Sequence, residues 1–284
     1  MLDLKEKWLN KLDIKRYGTS LHFLVKIDIS LFKIGFLQLQ IYKIARWLNI
    51  FSSLFLVVLQ YYLWKAICES TIVPDYSFDQ IFSYFCLSQI IYIIFPDVSN
   101  DISQLVKKGD IIHWLLKPVT IIRQLFFETM GRSVYRLIFI ALPILAVILF
   151  VFQIIPQVAI LNIIKFIIVF ILSYLFVFIF EFLVGIFSFF TLSTWGIQSF
   201  KYAVITLLSG RFLPISLYPE WIREIFEYLP FKIMYYYPLI VLNNKTSQTI
   251  LEIIAYQVIW IIILSIITYF FYQKAMKKIM IQGG

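Results

Sequence analysis

The sequence predicts an all-α, polytopic membrane protein with six transmembrane helices. Of its 284 residues, 61% are hydrophobic and 14% are charged, whereas soluble globular proteins are roughly 45–50% apolar and about 25% charged. The apolar residues form long uncharged runs, and a helix needs about 20 such residues to cross a bilayer. Charged or proline-containing segments separate the runs, so we expect several crossings joined by loops.

The N-terminal segment, 1–46, is predicted to lie in the cytoplasm and the membrane interface. Its opening stretch is charged throughout and has no apolar run behind a basic start, so we expect no cleaved signal peptide. In 20–44, polar residues recur near one face of a 3.6-residue helix; they are His22, Lys26, Ser30, Lys33, Gln40 and Lys43. A basic amphipathic helix of this kind lies in the interface. The alternative is a soluble helix on a cytoplasmic domain.

The six apolar runs are predicted to end where charges, turns or prolines interrupt them. The run 166–200 is divided near 187–194, because its 35 residues exceed one crossing. Lys201 then lies in the second turn of a span, and we expect its side chain to reach the inner face. The predicted spans are 47–64, 80–96, 133–152, 160–183, 195–213 and 253–273.

The loop after the second span has residues that are typical of the start and the end of a short helix. Asn100 is predicted to cap this helix, and Asp101 lies in its first turn. Lys107 and Lys108 lie in its last turn, and Gly109 follows as the stop. This order of charges suits the helix dipole at both ends. Such a protrusion could transmit a push from a soluble partner, the alternative being a solvated connector.

Two further short helices are predicted in the remainder of this loop. Asp110 is predicted to cap 111–116, and Pro118 ends that piece, because the residue before a proline is pushed out of the helical region. Thr120 is predicted to cap an amphipathic helix that continues to Met130. The loop is therefore predicted to be largely helical.

Segment 211–244 is predicted to lie at the outer membrane face. It holds four prolines, and irregular backbone at membrane depth must be covered by protein or water. A short amphipathic helix is predicted over Glu220–Tyr228. The residues Tyr235, Tyr236 and Tyr237 are typical of an aromatic belt at the interface.

The distribution of Lys and Arg predicts that both termini and the loop after the second span are cytoplasmic. With the N-terminus inside, 19 of the 25 Lys and Arg lie on the inner side: nine before the first span, six in 107–136, Lys201, and three in the tail. Cytoplasmic loops are enriched in both residue types. The same enrichment accounts for the net charge of +9, so we expect no nucleic-acid partner.

The chain lacks the motifs of common catalytic and nucleotide-binding sites. It has no Gly-rich phosphate loop ending in Lys-Ser or Lys-Thr, no nucleophile elbow and no HExxH. Cys68 and Cys86 form no CxxC pair and have no neighbouring His. We therefore expect no catalytic residue, no bound cofactor and no metal in this chain.

Two ionisable residues within the predicted spans leave another kind of transport open. Lys165 lies about one turn inside the outer end of its span, and Glu181 lies near the inner end of the same span. A secondary carrier or a channel would use such residues, although each could also lie at an interface. A membrane-bound enzyme or a scaffold is the third alternative. No internal repeat is evident, which disfavours a secondary transporter.

Three stretches resemble the membrane subunits of type 2 ATP-binding cassette exporters, and the bacterial six-span permeases in particular. In ISQLVKKGDIIHWLLKPVT, the residues in the order of the family are Gly109, Asp110, Leu115, Leu116, Lys117 and Pro118. In 207–239, they are Ser209, Gly210, Pro214, Pro219, Pro230, Phe231 and Pro238. The third stretch is the terminal QGG, with Gly283 and Gly284. The resemblance runs from about Tyr17 to the end of the chain.

The resemblance implies a single permease domain over 1–284, with a coupling helix in the cytoplasmic loop 97–132 and short re-entrant helices in 211–244. It implies pairing with a second copy or a sister permease, and with two separate ATPase subunits that hold ATP and Mg²⁺. ATP binding would shift the coupling helix and release the substrate outside. The implied location is the lipid of a bacterial inner membrane. The resemblance names no substrate.

The resemblance also assigns roles to two sets of residues. Those expected to couple the permease to the ATPase are Asp101, Gln104, Leu105, Lys107, Lys108, Gly109, Asp110, Leu115, Leu116, Lys117 and Pro118. Those expected at an outer gate are Gly210, Pro214, Pro219, Pro230 and Phe231. Lys165 and Glu181 stay as candidate polar residues within the membrane.

Overall fold

The computed structural model describes residues 21–70, 76–117, 119–153, 159–191, 195–244, 246 and 248–282. These residues form helices and no strands, which confirms the all-α prediction. The α-helices are α1 (Leu21–Ile41), α2 (Lys43–Ser70), α3 (Phe78–Ile94), α4 (Val98–Lys108), α5 (Ile111–Leu115), α6 (Ile121–Arg136), α7 (Leu142–Phe152), α8 (Ile160–Ile186), α9 (Trp195–Leu208), α10 (Glu220–Tyr228), α11 (Tyr236–Leu242) and α12 (Ile250–Gln282). A π-helical turn covers Leu137–Ala141, and 3-10 turns cover Phe187–Phe189, Ile215–Leu217 and Pro230–Ile233.

In the described part of the chain, five helical segments are long and apolar enough to cross a membrane. They are Lys43–Ser70, Phe78–Lys108, Ile121–Phe152, Ile160–Phe189 and Ile250–Lys278. Each contains one of the predicted spans, so the prediction of a polytopic membrane protein is confirmed. The count of six crossings stays a prediction.

The predicted span 195–213 is corrected by the structure. Its helix, α9, has 14 residues and ends at Leu208, and a helix of that length covers about 21 Å. The chain cannot continue as a helix because Gly210 adopts a φ of 75° in the left-handed region, where glycine ends helices. The hydrocarbon core of a bilayer is about 30 Å thick, so α9 is too short to cross it alone.

The bounds of α3 follow from its sequence at both ends. At the start, Ser77 and Gln80 form a reciprocal capping box, in which each side chain accepts the backbone N–H of the other residue. At the end, Phe95 leaves the helical region with φ −61° and ψ 147°, as expected of a residue before proline. Pro96 thus separates α3 from α4.

The prediction that a separate helix ends at Met130 is wrong. α6 continues to Arg136 and runs through the π turn into α7, so that Ile121–Phe152 is one helical segment. Pro143 lies near the start of α7, and proline removes one intrahelical hydrogen bond. The widened π turn directly before it lets the helix continue.

α1 packs along α6, and two glycines set the distance between them. A Cβ added at Gly35 would overlap the backbone of Glu128, and one added at Gly131 would overlap the backbone of Phe32. The two backbones are therefore in direct contact, which explains why Gly131 lies inside a helix rather than at its end. The structure ends α1 at Ile41 and begins α2 at Lys43; the interfacial position of α1 stays a prediction.

α8 lies at the centre of the molecule and packs against α4, α11 and α12. Segment 211–244 contacts it through α11, and the predicted amphipathic helix of this segment has the bounds Glu220–Tyr228. The prediction of an exposed aromatic belt is wrong for Tyr235 and Tyr237, which are both buried. The Tyr235 ring packs 5.2 Å from that of Phe95, which follows α3.

Candidate functional site

A cavity of about 810 Å³ lies among α2, α3, α8 and α9. Its apolar wall includes Leu39, Phe55, Leu56, Leu59, Ile93 and Ile140. Its polar and charged lining is Asn49, Ser52, Ser53, Gln89, Asp97, Arg136, Glu181, Lys201 and Arg211. Charged groups that line a cavity among membrane helices mark a functional site.

Lys201 holds together the charges at one end of this cavity. Its Nζ lies 3.0 Å from the Glu181 carboxylate and 3.2 Å from Asp97 Oδ1, and it donates to Ser99 Oγ at 2.8 Å. The side chains of Lys201 and Glu181 are 3% and 4% exposed, whereas that of Asp97 is 41% exposed. A buried charge is tolerated only with such partners.

This arrangement corrects the prediction made for Lys201. Lys201 was expected to reach the inner face, but its side chain is buried beside Glu181. Lys165 and Glu181 are 16 positions apart in α8, about 24 Å along the helix, so the structure does not bring these two candidate polar residues together. The sequence did mark both residues as unusual, because Glu181 and Lys201 each interrupt a long apolar run.

Glu181 also accepts a hydrogen bond from the first turn of α4. Its Oε2 accepts the N–H of Ser99, at 3.1 Å, in the first turn of that helix, where backbone N–H groups have no intrahelical partner. A carboxylate at this position is stabilised by the helix dipole. The prediction that Asn100 caps α4 is wrong, because α4 begins at Val98 and Asn100 lies inside its first turn.

The other two predicted caps also form no side-chain hydrogen bond. Asp110 precedes α5 in a helical conformation, and Thr120 precedes α6 in an extended one. The helix stop at Gly109 is confirmed, with a φ of 77°. The sequence therefore predicted the backbone conformation at Gly109 correctly, but not the side-chain hydrogen bonds of Asp110 and Thr120.

Side-chain contacts hold the N-terminal half of α4 against α6 and α8. Asp101 forms a bidentate ion pair with Arg132 of α6, and Ser103 Oγ lies 2.8 Å from Ser188 Oγ. Gly185 of α8 lets α4 approach closely, because a Cβ there would lie 2.7 Å from the Ile102 side chain. α4 thus packs as a rigid element against α6 and α8.

The C-terminal end of α4 and all of α5 form the exposed end of this loop. Leu105, Trp114 and Leu115 are half-buried, and Pro118 lies outside the described residues. The predicted coupling residues that are exposed are Gln104, Lys107, Lys108, Gly109, Asp110, Leu116 and Lys117. Two apolar side chains, Ile112 and Leu116, are 49% and 77% exposed. We call 104–117 the loop tip.

The residues predicted at an outer gate form an ordered segment. The carbonyl oxygen of Gly210 accepts the Tyr84 hydroxyl at 2.5 Å. Pro219 directly precedes α10, Pro214 and Pro230 stand at the start of two 3-10 turns, and Phe231 packs 5.8 Å from Phe180.

Lys232 in the same segment is buried, with 8% of its surface exposed. Its Nζ donates to the carbonyl oxygen of Glu227 at 3.2 Å and lies 4.5 Å from the centroid of the Tyr256 ring. Burial lowers the pKa of Lys232, and the charge of the Glu227 carboxylate opposes this shift.

Two arginines of the cavity were missed by reasoning from the sequence. The Arg211 guanidinium lies 3.4 Å from the centroid of the Tyr92 ring. Arg136 donates to the carbonyl oxygen of Phe95, at the end of α3, at 3.0 Å. Both were counted only as loop charges, because their partners are 41 residues or more away in the chain.

The described residues contain no group of three or more His, Cys, Asp or Glu that could hold a metal ion. Cys68 and Cys86 are free thiols.

A family model described as "ABC-2 family transporter protein" matches residues 36–283. This chain belongs to the ABC-2 transporter family. Neither a search of curated proteins nor one of solved structures gave a match. The matched region contains both the cavity and the loop tip of this ABC-2 permease, and begins within α1.

Membership of the ABC-2 family makes the chain a membrane transport subunit rather than an enzyme. Membrane domains of this family work with ATP-binding cassette ATPases. The resemblance found in the sequence is therefore confirmed at the level of the family.

Proposed function

We propose that the chain is the permease of an ATP-driven exporter, which receives its energy through α4 and α5 from separate ATPase subunits. The observation that carries this proposal is the position of α4. One end of this helix is exposed at the loop tip, and the other end is bonded to the charged lining of the cavity.

Few contacts separate the loop tip from the cavity, so a movement of the loop tip would be transmitted to the cavity. α4 has 11 residues and is about 16 Å long, and its first turn donates the Ser99 N–H to Glu181. Asp97 directly precedes α4 and bonds Lys201. A shift of α4 would therefore move the charges that hold α8 and α9 together.

The loop tip suits a protein partner of defined chemistry. Its exposed apolar side chains, Ile112 and Leu116, lie near Lys107, Lys108 and Lys117 in the chain. Apolar anchors within a polar rim are typical of interface centres. An apolar groove with an acidic border on the ATPase would complement this surface.

The nucleotide belongs to the partner in this proposal. The chain has no Gly-rich phosphate loop, so ATP and Mg²⁺ would be bound by the ATPase subunits. The translocation pathway would be completed by a second permease, either another copy or a sister chain. The cavity would release its substrate on the side of segment 211–244.

The experiment compares two exposed leucines at different positions in the chain. Leu116 at the loop tip and Leu251 at the start of α12 are 77% and 74% exposed. With permease and ATPase reconstituted together, Leu116→Asp should leave the permease inserted but reduce its stimulation of ATP hydrolysis at least roughly tenfold, as expected when an interface anchor is lost. Leu251→Asp should change stimulation little.

A second variant tests the loop without adding charge. Gly109→Val places a β-branched residue at a φ of 77°, which costs about 1–2 kcal/mol and reorients α5. We expect it to uncouple hydrolysis from transport. Unchanged coupling in both loop variants, or a purified permease that no ATPase accompanies or stimulates, would contradict the proposal.

A secondary carrier or channel is the second candidate, because Glu181 and Lys201 form a buried ion pair among membrane helices. Such a protein would move its substrate along an ion gradient without ATP. Flux of that kind, abolished by Glu181→Gln, would replace the first proposal.

A further inference from the structure

Two arginines line the cavity without a carboxylate partner. Arg211 is 8% exposed; its guanidinium stacks on Tyr92 and lies 3.4 Å from Gln89 Oε1. Arg136 donates to the carbonyl oxygen of Phe95. Within the described residues, neither arginine forms an ion pair. A guanidinium has five N–H donors, so these neutral partners leave both its charge and several donors available.

The two guanidiniums lie along the same end of α3. Arg211 contacts groups of Gln89 and Tyr92, and Arg136 contacts the carbonyl oxygen of Phe95. The first and last of these contact points are six positions apart, or about 9 Å of helix. Both arginines also line the same cavity, so an anionic group bound there would be attracted by both charges.

The charges that line the cavity do not balance. Arg136, Lys201 and Arg211 carry three positive charges, against the two carboxylates of Asp97 and Glu181. Both carboxylates bond Lys201, so the uncompensated positive charge lies at the two arginines. The surplus is one elementary charge. Leaving such a charge buried without a counter-ion is costly.

The cavity also has an apolar part. α2 contributes Phe55, Leu56 and Leu59 to it, beside the polar Asn49, Ser52 and Ser53, and α1 contributes Leu39. Phe55 and Leu59 are 57% and 50% exposed, and α2 is long and apolar enough to cross a membrane. Lipid can therefore contact these two side chains, which also line the cavity.

We propose that the cavity binds a membrane amphiphile with a singly charged anionic head group. The head group lies at Arg136 and Arg211, which bind oxyanions through charge-assisted hydrogen bonds, and the apolar chain lies along α2. This inference rests on the proposed function only in making the amphiphile the exported substrate. The binding itself requires no ATPase, so it is tested on the permease alone.

The test uses three probes and purified permease in neutral dodecyl maltoside micelles. The probes are didodecyl phosphate, its cationic counterpart didodecyldimethylammonium, and the soluble anion dimethyl phosphate. Binding is measured from the rise in Tm with probe concentration. We expect didodecyl phosphate to bind at least roughly tenfold more tightly than the cationic probe, since a charged hydrogen bond contributes that much. It should exceed dimethyl phosphate by a similar factor or more, because only the dodecyl chains bury apolar surface.

Variants locate the binding site. Arg211→Gln should weaken binding of didodecyl phosphate roughly tenfold or more. Arg223→Gln, which removes the same side chain from α10 outside the cavity lining, should leave binding unchanged. If Arg211→Gln fails to fold, Ser52→Asp decides, because it adds a negative charge at the exposed cavity wall and should also weaken binding.

Four results would overturn the inference. They are absence of didodecyl phosphate binding, equal binding of the cationic amphiphile, equal loss of binding in Arg223→Gln, and equally tight binding of dimethyl phosphate. The last result would make the cavity a site for a small soluble anion. Each is independent of ATP-driven transport, so failure here leaves the proposed function standing, and failure of coupling leaves the binding site standing.

Discussion

Lys201 is the residue on which the charged end of the cavity depends. It is bonded to two carboxylates from different parts of the chain, Glu181 in α8 and Asp97 before α4. Burial of an ion pair contributes little net stability, but the loss of one partner leaves an uncompensated buried charge. Single and double substitutions should therefore differ in a way that a surface ion pair would not show.

We predict that Glu181→Gln destabilises the permease by about 3 kcal/mol, because Lys201 keeps only the half-exposed Asp97 as counter-ion. Adding Lys201→Met should cost less than the sum of the two single changes, since the buried charge is then removed. The measurement is the midpoint of denaturant-induced unfolding in detergent micelles. Lys274→Met, at an exposed position of α12, is the control and should change the midpoint little. Strict additivity would contradict the coupling.

At this scale, reasoning from the sequence found the charges but not their partners. Glu181 was recognised as unusual because it lies in a long apolar run. Its contact with Lys201 could not be predicted, because local periodicity carries no information about a partner across the break after α8. Gly109 was predictable, since glycine's freedom at positive φ is a property of the residue itself.

The tightest crossing between elements is that of α1 and α6. Besides the two glycines, Arg123 of α6 forms a bidentate ion pair with Asp28 of α1, with both N···O distances at 2.7 Å. α1 also leaves apolar side chains such as Ile29 and Leu37 about half-exposed. The helix is therefore docked on one face and free to contact lipid on another.

We predict that Gly131→Ala loosens α1, because the added Cβ would overlap the Phe32 backbone and backbone cannot rotate aside as a side chain can. The cost should be about 1–3 kcal/mol, as for other overpacked sites. Limited trypsin digestion at Lys26 and Lys33 reports the opening, because proteases cleave the transiently opened state. Gly196→Ala meets open space and should leave the rate unchanged. Equal cleavage in both variants would show that α1 is not held by this crossing.

Elements whose ends depend on local chemistry were predicted well. α10 has the predicted bounds, and α4 ends at Gly109 as predicted. The continuation of α6 beyond Met130 was missed, and Gly131 lies in that continuation. Its role as a contact surface for α1 depends on a segment about 100 residues away.

On the scale of the whole molecule, α12 contacts both segment 211–244 and the residues packed against α4, and its length gives the distance between them. Near its start, the Tyr256 hydroxyl donates to the carbonyl oxygen of Leu229, at 2.9 Å. Near its end, Tyr272 packs 5.9 Å from Phe182, in the cluster that also holds Ile102 of α4. The two tyrosines are 16 positions apart, which corresponds to about 24 Å of helix, so the two regions lie at opposite ends of the bundle.

This separation, together with the distribution of Lys and Arg, predicts which surfaces an impermeant reagent can reach. Lys108→Cys lies at the loop tip, and Tyr228→Cys lies at the end of α10, where Tyr228 is 80% exposed. In a Cys68→Ser background, with Cys86 left in place because it is buried, a membrane-impermeant maleimide should label Tyr228→Cys in intact cells. It should label Lys108→Cys only in inverted vesicles, because cytoplasmic loops carry the excess of Lys and Arg. Labelling of both cysteines from the same side would contradict the topology and remove the loop tip from the reach of a cytoplasmic ATPase.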